Sequence, residues 1–556
     1  MTALSSPVPT EAPATGRAPA TAPPAPHSTR TGPRVWSAVT GSVVPLAVGV
    51  VFSAPLIYLV WRTFELESRF EVLTRSTTLV PLWRTIVLAA SVGLSTAVLG
   101  TAFAWLVVRT DLPGRRWLRA VAALPLVLPS FVGATALLAG MATGGLMSQA
   151  LEPLGVERLP RIEGFWGSWF VLTLFTYPMV YLPVAARLQS LPTSLEESAR
   201  LLGRGTWRIG REVVMPQARS AVAAGTLLVV LYTISDFGVV SLLRYGTLTQ
   251  EIYLSKLDPA TWLPLSLVLA ALALAVTAGE RSIARRRQFL TSSRTRPAAP
   301  LHLGRLRWPA AIAVVFVVAN AVLGPLLVLV YWVVRGYTSG SSSTALNLDP
   351  TELAGPAVST VLVSVAAAFV SVVVVLPVAR SLRRRRRAGG LASVLVVAGY
   401  AMPGLIVALS LVFWTLSSDV LDSLYQTVPL LILAYTIHFG AQAMRTAQVA
   451  AETLPVRMED AARMLGAPAW RRFAVVELPI MLPGLLAGAG LVLQSAMKEL
   501  PATLVLSPPG FTTLATEIWS AYEYGSYAQM GMAGLVLVAV SGVLTWALVV
   551  RRSELL

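Results

Sequence analysis

Long apolar stretches separated by short polar segments dominate the chain from residue 36 onward. A bilayer core of roughly 30 Å needs about 20 mostly apolar helical residues, because lipid offers the backbone no hydrogen-bond partners. Twelve stretches meet this requirement, so the pattern predicts an all-α polytopic membrane protein. The predicted spans are 40–61, 83–108, 118–140, 165–186, 220–243, 262–279, 309–334, 357–379, 391–416, 428–444, 480–506 and 530–550.

The N-terminal segment has a different composition. Residues 1–34 consist mainly of Pro, Ala, Thr and Ser and contain no apolar run. Such a segment cannot bury enough apolar surface to offset chain entropy, so we predict a disordered tail. The first apolar stretch begins near Trp36 and is long enough to cross the bilayer, which argues against a cleavable signal peptide.

Arginine clusters between the apolar stretches indicate the orientation in the membrane. They include Arg115-Arg116, Arg285 to Arg287, Arg383 to Arg387 and Arg551-Arg552. All of these clusters fall on the inner side if the N-terminus is cytoplasmic, in agreement with the positive-inside rule. We therefore predict a multi-pass protein of a bacterial inner membrane with both termini in the cytoplasm.

The chain contains an internal repeat at an offset of 263 residues. Residues 191–216 and 454–479 are identical at 11 of 26 positions. Six predicted spans separate the copies, so the halves share an orientation and should be related by an axis along the membrane normal. We predict a first transmembrane domain at 35–280, a basic cytoplasmic linker at 281–307 and a second transmembrane domain at 308–556.

Each copy of the repeat lies in a predicted cytoplasmic loop that is too patterned to be a simple connector. In the second copy, Glu459 and Asp460 suit the positive end of a short helix, and Gly466 followed by Pro468 is a helix-stop signal. A second short helix around 470–477 then leads into the next span. The pattern predicts a helix-turn-helix that binds a partner, although a loop with a purely structural role is the alternative.

These loops resemble the EAA signature of binding-protein-dependent ABC importer permeases. The signature combines an acidic residue, two small residues, a glycine four positions later and a terminal proline. The matching residues are Glu197, Ser198, Ala199, Gly203 and Pro216 in the first copy and Asp460, Ala461, Ala462, Gly466 and Pro479 in the second. The resemblance implies the type I ABC importer permease fold, two ABC ATPase subunits bound through these loops, and an extracytoplasmic substrate-binding protein.

Composition excludes several other classes of protein. Hydrophobic residues make up 55% of the chain and charged residues only 13%, against about 25% charged in soluble domains. The net charge of +17 does not indicate nucleic-acid binding, because the arginines lie between apolar spans rather than in a basic groove. The chain has no cysteine and therefore no disulfide or thiolate site.

The sequence lacks the residues of an ATPase or of a familiar membrane enzyme. A P-loop needs Lys followed by Ser or Thr, but Lys256 precedes Leu and Lys498 precedes Glu. His27, His302 and His438 are scattered and form no HExxH motif. We expect no enzymatic activity and no cofactor, and no residues are assigned to a metal.

The sequence around the fifth span of each half, at 235–253 and 498–519, resembles that of ferric-iron importer permeases. These permeases commonly consist of two fused six-helix units. The resemblance favours ferric iron as the substrate. Permeases for thiamine, phosphonate, molybdate or sulfate belong to the same extended family and remain alternatives. An ion-coupled secondary transporter is the alternative from another class, but it would have no use for two EAA-like loops.

Two carboxylates occupy equivalent positions in the fifth spans, since Asp236 and Glu499 are separated by the repeat offset. An ionisable side chain in a span costs at least ~2.5 kcal/mol near the bilayer centre and usually faces a cavity or a partner. We predict that the pair lines the substrate path and attracts a cation. The alternatives are an ion pair between Glu499 and Lys498, or carboxylates that cap broken helices.

Prolines in the third spans suggest bends. Pro125, Pro129 and Pro403 can kink these spans for gating or can be tolerated for structural reasons, and the sequence does not separate the two. We interpret His438 as an interhelical hydrogen-bonding residue rather than as a ligand.

Overall fold

The computed structural model of the chain describes residues 42–67, 69–155, 159–160, 162–191, 193–285, 301–338, 351–384 and 387–545. The predicted tail at 1–34, most of the predicted linker and the last arginine cluster lie outside these residues. The described part is almost entirely helical, as the apolar pattern predicts.

Eight labelled helices build each half, and each helix of the first half has its equivalent eight labels later. The first half contains α1 (Val44–Glu65), α2 (Ser76–Arg109), α3 (Arg115–Val121), α4 (Ser130–Met141), α5 (Phe165–Gln189), α6 (Thr193–Leu201), α7 (Met215–Ser235) and α8 (Pro259–Arg285). The second half contains α9 (Arg307–Thr338), α10 (Ala354–Arg383), α11 (Arg387–Ala401), α12 (Gly404–Leu416), α13 (Val428–Glu452), α14 (Val456–Met464), α15 (Leu478–Met497) and α16 (Tyr527–Thr545).

Shorter elements connect these helices. They are Arg69–Thr74, Leu124–Leu126, Leu146–Leu151, Glu152–Leu154, Thr206–Ile209, Gly210–Val214, Gly238–Leu242, Leu248–Leu254, Gly304–Leu306, Asp422–Leu424, Ala469–Arg472, Phe473–Glu477, Pro501–Leu506 and Leu514–Glu523. Gly210–Val214 and Phe473–Glu477 are single π-helical turns at equivalent places in the two halves.

Most of the predicted spans appear as helices of the expected length. Nine helices among the described residues are long and apolar enough to cross a membrane, or eleven spans if two bent helix pairs are each counted as one. The tenth predicted span, 428–444, forms the 25-residue helix α13, which is more polar than the other long helices. The structure thus supports a multi-pass membrane protein.

The two third spans are broken rather than kinked. The chain turns by 87° between residues 126 and 130, and by 103° between α11 and α12. The predicted spans 118–140 and 391–416 are therefore bent near the prolines, as expected, but more sharply than a kinked helix would be. Proline has no backbone N–H and clashes with a preceding helical turn, so α4 and α12 each begin directly after a proline, Pro129 and Pro403.

The internal repeat is confirmed at the level of individual helices. α5 and α13 begin and end at positions that differ by the same 263 residues found in the sequence alignment, and so do α6 and α14. Equivalent sequences thus form equivalent elements.

The first helix of each half packs against the other half. On α1, Gly49 lies against Ala392 of α11, and the backbone of Phe52 meets Gly399 of the same helix. On α9, the Trp332 Nε1–H donates to the backbone carbonyl of Ala139 over 3.0 Å. The two halves are therefore interlocked and not merely adjacent.

A three-residue segment of the linker is fixed against the first half, and we call it the linker staple (301–303). The Leu301 N–H donates to the Arg109 carbonyl over 2.7 Å, and the Asp111 carboxylate accepts a 2.9 Å hydrogen bond from the Leu303 N–H. The Leu303 hydrogen bond and the nearby His302 ring lower the pKa of Asp111. The staple covers the end of α2.

Candidate coupling loops and translocation path

The predicted helix-turn-helix is present in both loops. The turns after α6 and α14 are made by Gly203 and Gly466, whose φ angles are +73° and +74°. The Gly203 N–H donates to the carbonyl of Arg200, and the Gly466 N–H donates to that of Arg463. Glycine reaches this left-handed conformation at no steric cost, which explains its presence at both turns.

The acidic residues that the motif singles out lie on the surface. Glu197, Ser198 and Asp460 are exposed, as is Ala461, whereas Ala199 is buried and Ala462 is half-buried. The prediction placed the site on the first acidic residue of the motif match. In the structure the carboxylate one position earlier is the buried one.

Glu196 and Glu459 are these buried carboxylates, and the prediction missed them. Glu196 Oε1 lies 2.7 Å from Nη1 of Arg109 at the end of α2. Glu459 lies 3.1 Å from Arg383 at the end of α10, so the same helix end supplies the partner in both halves. The signal was present in the sequence, because both glutamates are among the identical residues of the repeat.

The second half surrounds its buried glutamate with more charges. Glu459 also contacts Arg384 at 3.2 Å and Arg463. Arg472 lies 3.9 Å from Glu459 and 3.4 Å from the buried Glu477. Burial alone would raise the pKa of Glu459, but the surrounding arginines outweigh it and lower the pKa below its usual value.

The loops end where the next long helix begins. Each π-helical turn leads directly into α7 or α15, and Pro216 and Pro479 occupy the first turn of these helices. A proline is tolerated in a first turn because its missing N–H would have no intrahelical partner there. The loop helices are therefore joined rigidly to α7 and α15.

The tips of the loops carry exposed apolar side chains. Leu201 and Leu202 are 90% and 79% exposed, and Met464 and Leu465 are 89% and 87% exposed. These four residues immediately precede the two turn glycines. Such side chains at a polar helix-turn-helix are typical of a surface that a partner protein covers.

Asp236 and Glu499, the two carboxylates predicted to line the path, lie just beyond the C-terminal ends of α7 and α15. The loops adjoin the opposite ends of these two helices. The Val239 N–H donates to Asp236 Oδ1 over 2.9 Å, and the Ala502 N–H donates to Glu499 Oε1 over 3.1 Å. Each carboxylate thus satisfies a backbone donor in the first turn of the next short helix. The capping alternative describes these contacts, and it leaves one oxygen of each carboxylate for other partners.

The alternative ion pair between Glu499 and Lys498 is wrong. Lys498 Nζ instead donates to the backbone carbonyl of Leu126 over 2.6 Å, in the broken third span of the other half. The ammonium group of lysine has three N–H donors. One donor of Lys498 binds the Leu126 carbonyl, which the helix break leaves without an intrahelical partner.

The two helix breaks meet at a contact between the halves that we call the seam, formed by Phe237, Gly238, Leu500 and Trp519. The rings of Phe237 and Trp519 stack with centroids 5.5 Å apart. A Cβ placed on Gly238 would lie 3.5 Å from Cδ2 of Leu500. Asp236 and Glu499, the chain neighbours of Phe237 and Leu500, therefore flank the same contact.

His438 lies on α13 close to Glu499. A Cβ placed on Gly404 would be 2.6 Å from Glu499 Oε1 and 3.3 Å from Nε2 of His438. The His438 ring has a hydrogen bond with the backbone of Met402 at the break of the third span, in agreement with its interpretation as an interhelical hydrogen-bonding residue, whereas its Nδ1 atom is buried without a partner. Within the described ranges, no group of three or more His, Asp or Glu side chains is arranged to hold a metal.

Known proteins similar to this chain are membrane components of transport systems. The Fe(3+)-transport system permease protein FbpB 2 of Haemophilus influenzae is 28% identical over 509 residues, which cover 90% of this chain and 95% of the relative. The molybdenum transport system permease protein ModB of Escherichia coli K12 is 31% identical over 165 residues, 28% of this chain and 70% of the relative. The sulfate transport system permease protein CysW of Escherichia coli K12 is 27% identical over 225 residues, 38% of this chain and 76% of the relative.

The family match covers both halves. Residues 96–289 and 371–553 each match the same family, and each match includes one loop and one helix break. With its duplicated helix-turn-helix loops and its interlocked halves, the chain belongs to the family of binding-protein-dependent transport system inner membrane components.

Proposed function

We propose that the chain is the membrane-spanning permease subunit of an ATP-driven importer and that its substrate is ferric iron. One observation carries the proposal. Each half has a loop with an exposed apolar tip and, separately, a carboxylate at a helix break, and both features occur at equivalent positions in the two halves. Two loops provide docking positions for two ATPase subunits. The two carboxylates at the seam line a path between the halves. An extracytoplasmic binding protein delivers the substrate to this path.

The ATPase is expected on separate subunits. The exposed pairs Leu201-Leu202 and Met464-Leu465 would be covered by one ATPase each. Each tip is joined through a short helix and a π-helical turn to α7 or α15, at whose far ends Asp236 and Glu499 lie. Movement of a tip would therefore be transmitted along a continuous helical connection to the seam.

The sidedness follows from the same assignment. Loops that bind ATPases must face the cytoplasm, which places the helix breaks in the outward half of the membrane. Because an even number of crossings separates the N-terminus from each loop in the predicted topology, and two more crossings follow the second loop, this orientation needs both termini in the cytoplasm. It also places the arginine clusters on the inner side.

The charge at the seam supports a cationic substrate. Asp236 and Glu499 bring two carboxylates to it, whereas the ammonium group of Lys498 is bound by the Leu126 carbonyl. The relative that matches along nearly its whole length is a Fe(3+)-transport permease. An oxyanion is the second candidate, because the molybdenum and sulfate permeases match over shorter stretches. An oxyanion path would favour positive groups over carboxylates.

Uptake into proteoliposomes tests the proposal. The chain, its ATPase and its binding protein are reconstituted, and ATP-dependent uptake of ferric iron is compared with that of molybdate and sulfate. We expect ferric uptake, and we expect the double variant Asp236→Asn with Glu499→Gln to lower it at least about tenfold, since both carboxylates are removed.

Two controls make the result decisive. Uptake is normalised to complex that contains ATPase, so poor assembly is not counted as loss of transport. The variant Glu523→Gln changes an exposed acidic residue at the end of the short helix Leu514–Glu523 and should retain normal uptake. Unaltered ferric uptake by the double variant would remove the path assignment, and molybdate or sulfate uptake by the unaltered chain would replace iron as the substrate.

A further inference from the structure

The two helix breaks are built from the same plan, but several equivalent residues differ, and three pairs of differing residues bear on the carboxylate. Both third spans resume after a proline, and both carboxylates accept a hydrogen bond from the residue three positions later. The pairs of differing residues are Ser130 with Gly404, Phe175 with His438, and Asp236 with Glu499.

In the first half these residues fix the carboxylate in place. The Ser130 hydroxyl lies 3.2 Å from Asp236 Oδ2 and 2.8 Å from the Tyr232 hydroxyl. Phe175 packs tightly over Gly133, where a Cβ would come within 2.3 Å of the ring. Both oxygens of Asp236 thus have partners within the protein, and the residue equivalent to His438 is the apolar Phe175.

In the second half the same space is rearranged around a longer side chain. Gly404 has no side chain, and Glu499 Oε1 occupies the place where one would begin. The imidazole of His438 borders the same point, since its Cδ2 and Nε2 atoms are 3.3 Å from the Cβ position. A serine at 404, as in the first half, would collide with the carboxylate.

The polar atoms of this corner are incompletely paired. Within the described part of the chain, the Glu499 side chain accepts one hydrogen bond, from the Ala502 N–H, and enters no ion pair. His438 Nδ1 is buried without a partner. A buried polar atom without a partner costs about 1–3 kcal/mol, so a ligand that engages it would be favoured.

We infer that Glu499 and His438, in the room left by Gly404, form a transient binding position for a transition-metal cation, with no counterpart in the first half. The inference rests on the proposed function, because the site would be one defined binding position along the proposed cation path. A carboxylate suits a hard ion such as ferric iron, and imidazole is a common ligand of iron.

The small number of protein ligands fits a stop on a path. Two protein ligands leave most of the coordination shell to water or to an accompanying anion. A transported ion must be bound strongly enough to enter and weakly enough to leave. A site with three or four protein ligands would retain the ion instead.

Metal binding by the whole chain tests the inference. The full chain in nanodiscs is dialysed to equilibrium against ferric citrate, or against Ga³⁺ as a redox-inert ion of similar charge, and the metal held by the protein in excess of the dialysate is measured. We expect His438→Phe and Gly404→Ser each to lower bound metal and ferric uptake about tenfold, because one removes a ligand and the other displaces the carboxylate.

A matched control and a second design keep the test clear of folding defects. His302→Phe makes the same chemical change in the exposed linker staple and should leave metal binding unchanged. The triple variant Gly404→Ser, His438→Phe and Glu499→Asp introduces the first-half residue at all three positions and shortens the carboxylate that a side chain at position 404 would meet, and the assembled variant should not bind metal.

The outcomes separate this inference from the proposed function. Normal metal binding by assembled His438→Phe and by the triple variant would overturn the inference, even if the double carboxylate variant had lost uptake. Absence of ferric uptake by the unaltered complex would overturn the proposed function. If Gly404→Ser does not assemble, the triple variant and His438→Phe still decide the question.

Discussion

The two helix-turn-helix loops have the same backbone conformation and differ in the charged residues beneath it. Both consist of a nine-residue helix, a turn at a left-handed glycine and a π-helical turn. Under the first loop, one buried ion pair joins Arg109 and Glu196, whose side chains are 5% and 10% exposed. Under the second, Glu459 lies among four arginines, two of which are at least one-third exposed.

The linker staple accounts for part of this difference. In the first half, Leu301 lies against the end of α2 and lines the small cavity that also holds Arg109 and Glu196. In the second half, Arg380 pairs with the buried Glu477 at 2.6 Å, whereas the first half has Val214 in place of Glu477. The same loop geometry is thus stabilised by an isolated buried pair in one half and by a partly hydrated network in the other.

The largest expected effect comes from removing the single buried pair. Glu196→Gln leaves Arg109 as a buried charge without an ionic partner, and we expect a loss of about 3–5 kcal/mol of stability in this region. Glu459→Gln leaves arginines that reach solvent or Glu477, and we expect about 1 kcal/mol. Thermal unfolding in nanodiscs and hydrogen exchange along α6 and α14 measure both effects.

A glutamate on the surface of the first loop provides the control. Glu212 pairs with Arg204 and Arg208 at the surface, and Glu212→Gln should change the unfolding temperature little. If Glu459→Gln proved as damaging as Glu196→Gln, the distinction between an isolated pair and a network would be wrong.

The turn glycines should respond equally, in contrast to the glutamates. Gly203 and Gly466 have the same φ, and a Cβ on either would meet no atom within 4 Å. Replacement by valine therefore costs only backbone strain, about 1–2 kcal/mol in each turn. We expect two ATPases per chain in native mass spectrometry of the unaltered complex, one in each single variant and none in the double variant.

Backbone strain by itself must be excluded as the cause of ATPase loss in these glycine variants. Gly510 has a φ of +77° and equally open surroundings, but it lies beyond the end of α15 that is remote from the second loop. Gly510→Val should retain both ATPases. Two bound ATPases in the variant carrying both Gly203→Val and Gly466→Val would contradict the docking role of the turns.

The smallest expected effect concerns pH and the second loop. The arginines lower the pKa of Glu459 in the folded chain below the ordinary value of 4.5. The stabilisation from its ionised form is therefore complete above the ordinary pKa and is lost as the pH falls through the lowered one. We expect the protection of α14 amides, measured as the exchange rate relative to that of an unstructured peptide at the same pH, to fall upon acidification from about pH 7 to about pH 3.

The variant Glu459→Gln tests the origin of this pH dependence. It has no carboxyl group at this position, so the protection of α14 amides should already be lower at neutral pH and should change less upon acidification. An identical pH profile in the variant and the unaltered chain would assign the effect to another group.

The repeat and the loops could be predicted from the sequence because they depend on local patterns. Apolar length predicted the long helices, and the spacing of acidic residues, glycine and proline predicted the helix-turn-helix. The backbone of each loop is determined by residues within it, above all Gly203 and Gly466. Such features need no knowledge of which distant segments come into contact.

The sequence could not predict what depends on contacts between distant segments. The 87° and 103° breaks need proline together with neighbours that accept a sharp turn, and proline alone permits a continuous kinked span. The contact of Lys498 with Leu126 joins residues from different halves. The buried role of Glu196 depends on Arg109, which lies in another helix.

The packing of each first helix against the other half has a consequence for biosynthesis. α1 is made first, yet its partner α11 is translated about 340 residues later, a delay on the order of tens of seconds at typical synthesis rates. During this time α1 must lie in lipid without its partner. Its hydroxyls tolerate this, because Ser53 and Thr63 donate to the carbonyls of Gly49 and Leu59 within the helix. α9 instead donates through Trp332 to Ala139, a residue already inserted when α9 emerges from the ribosome.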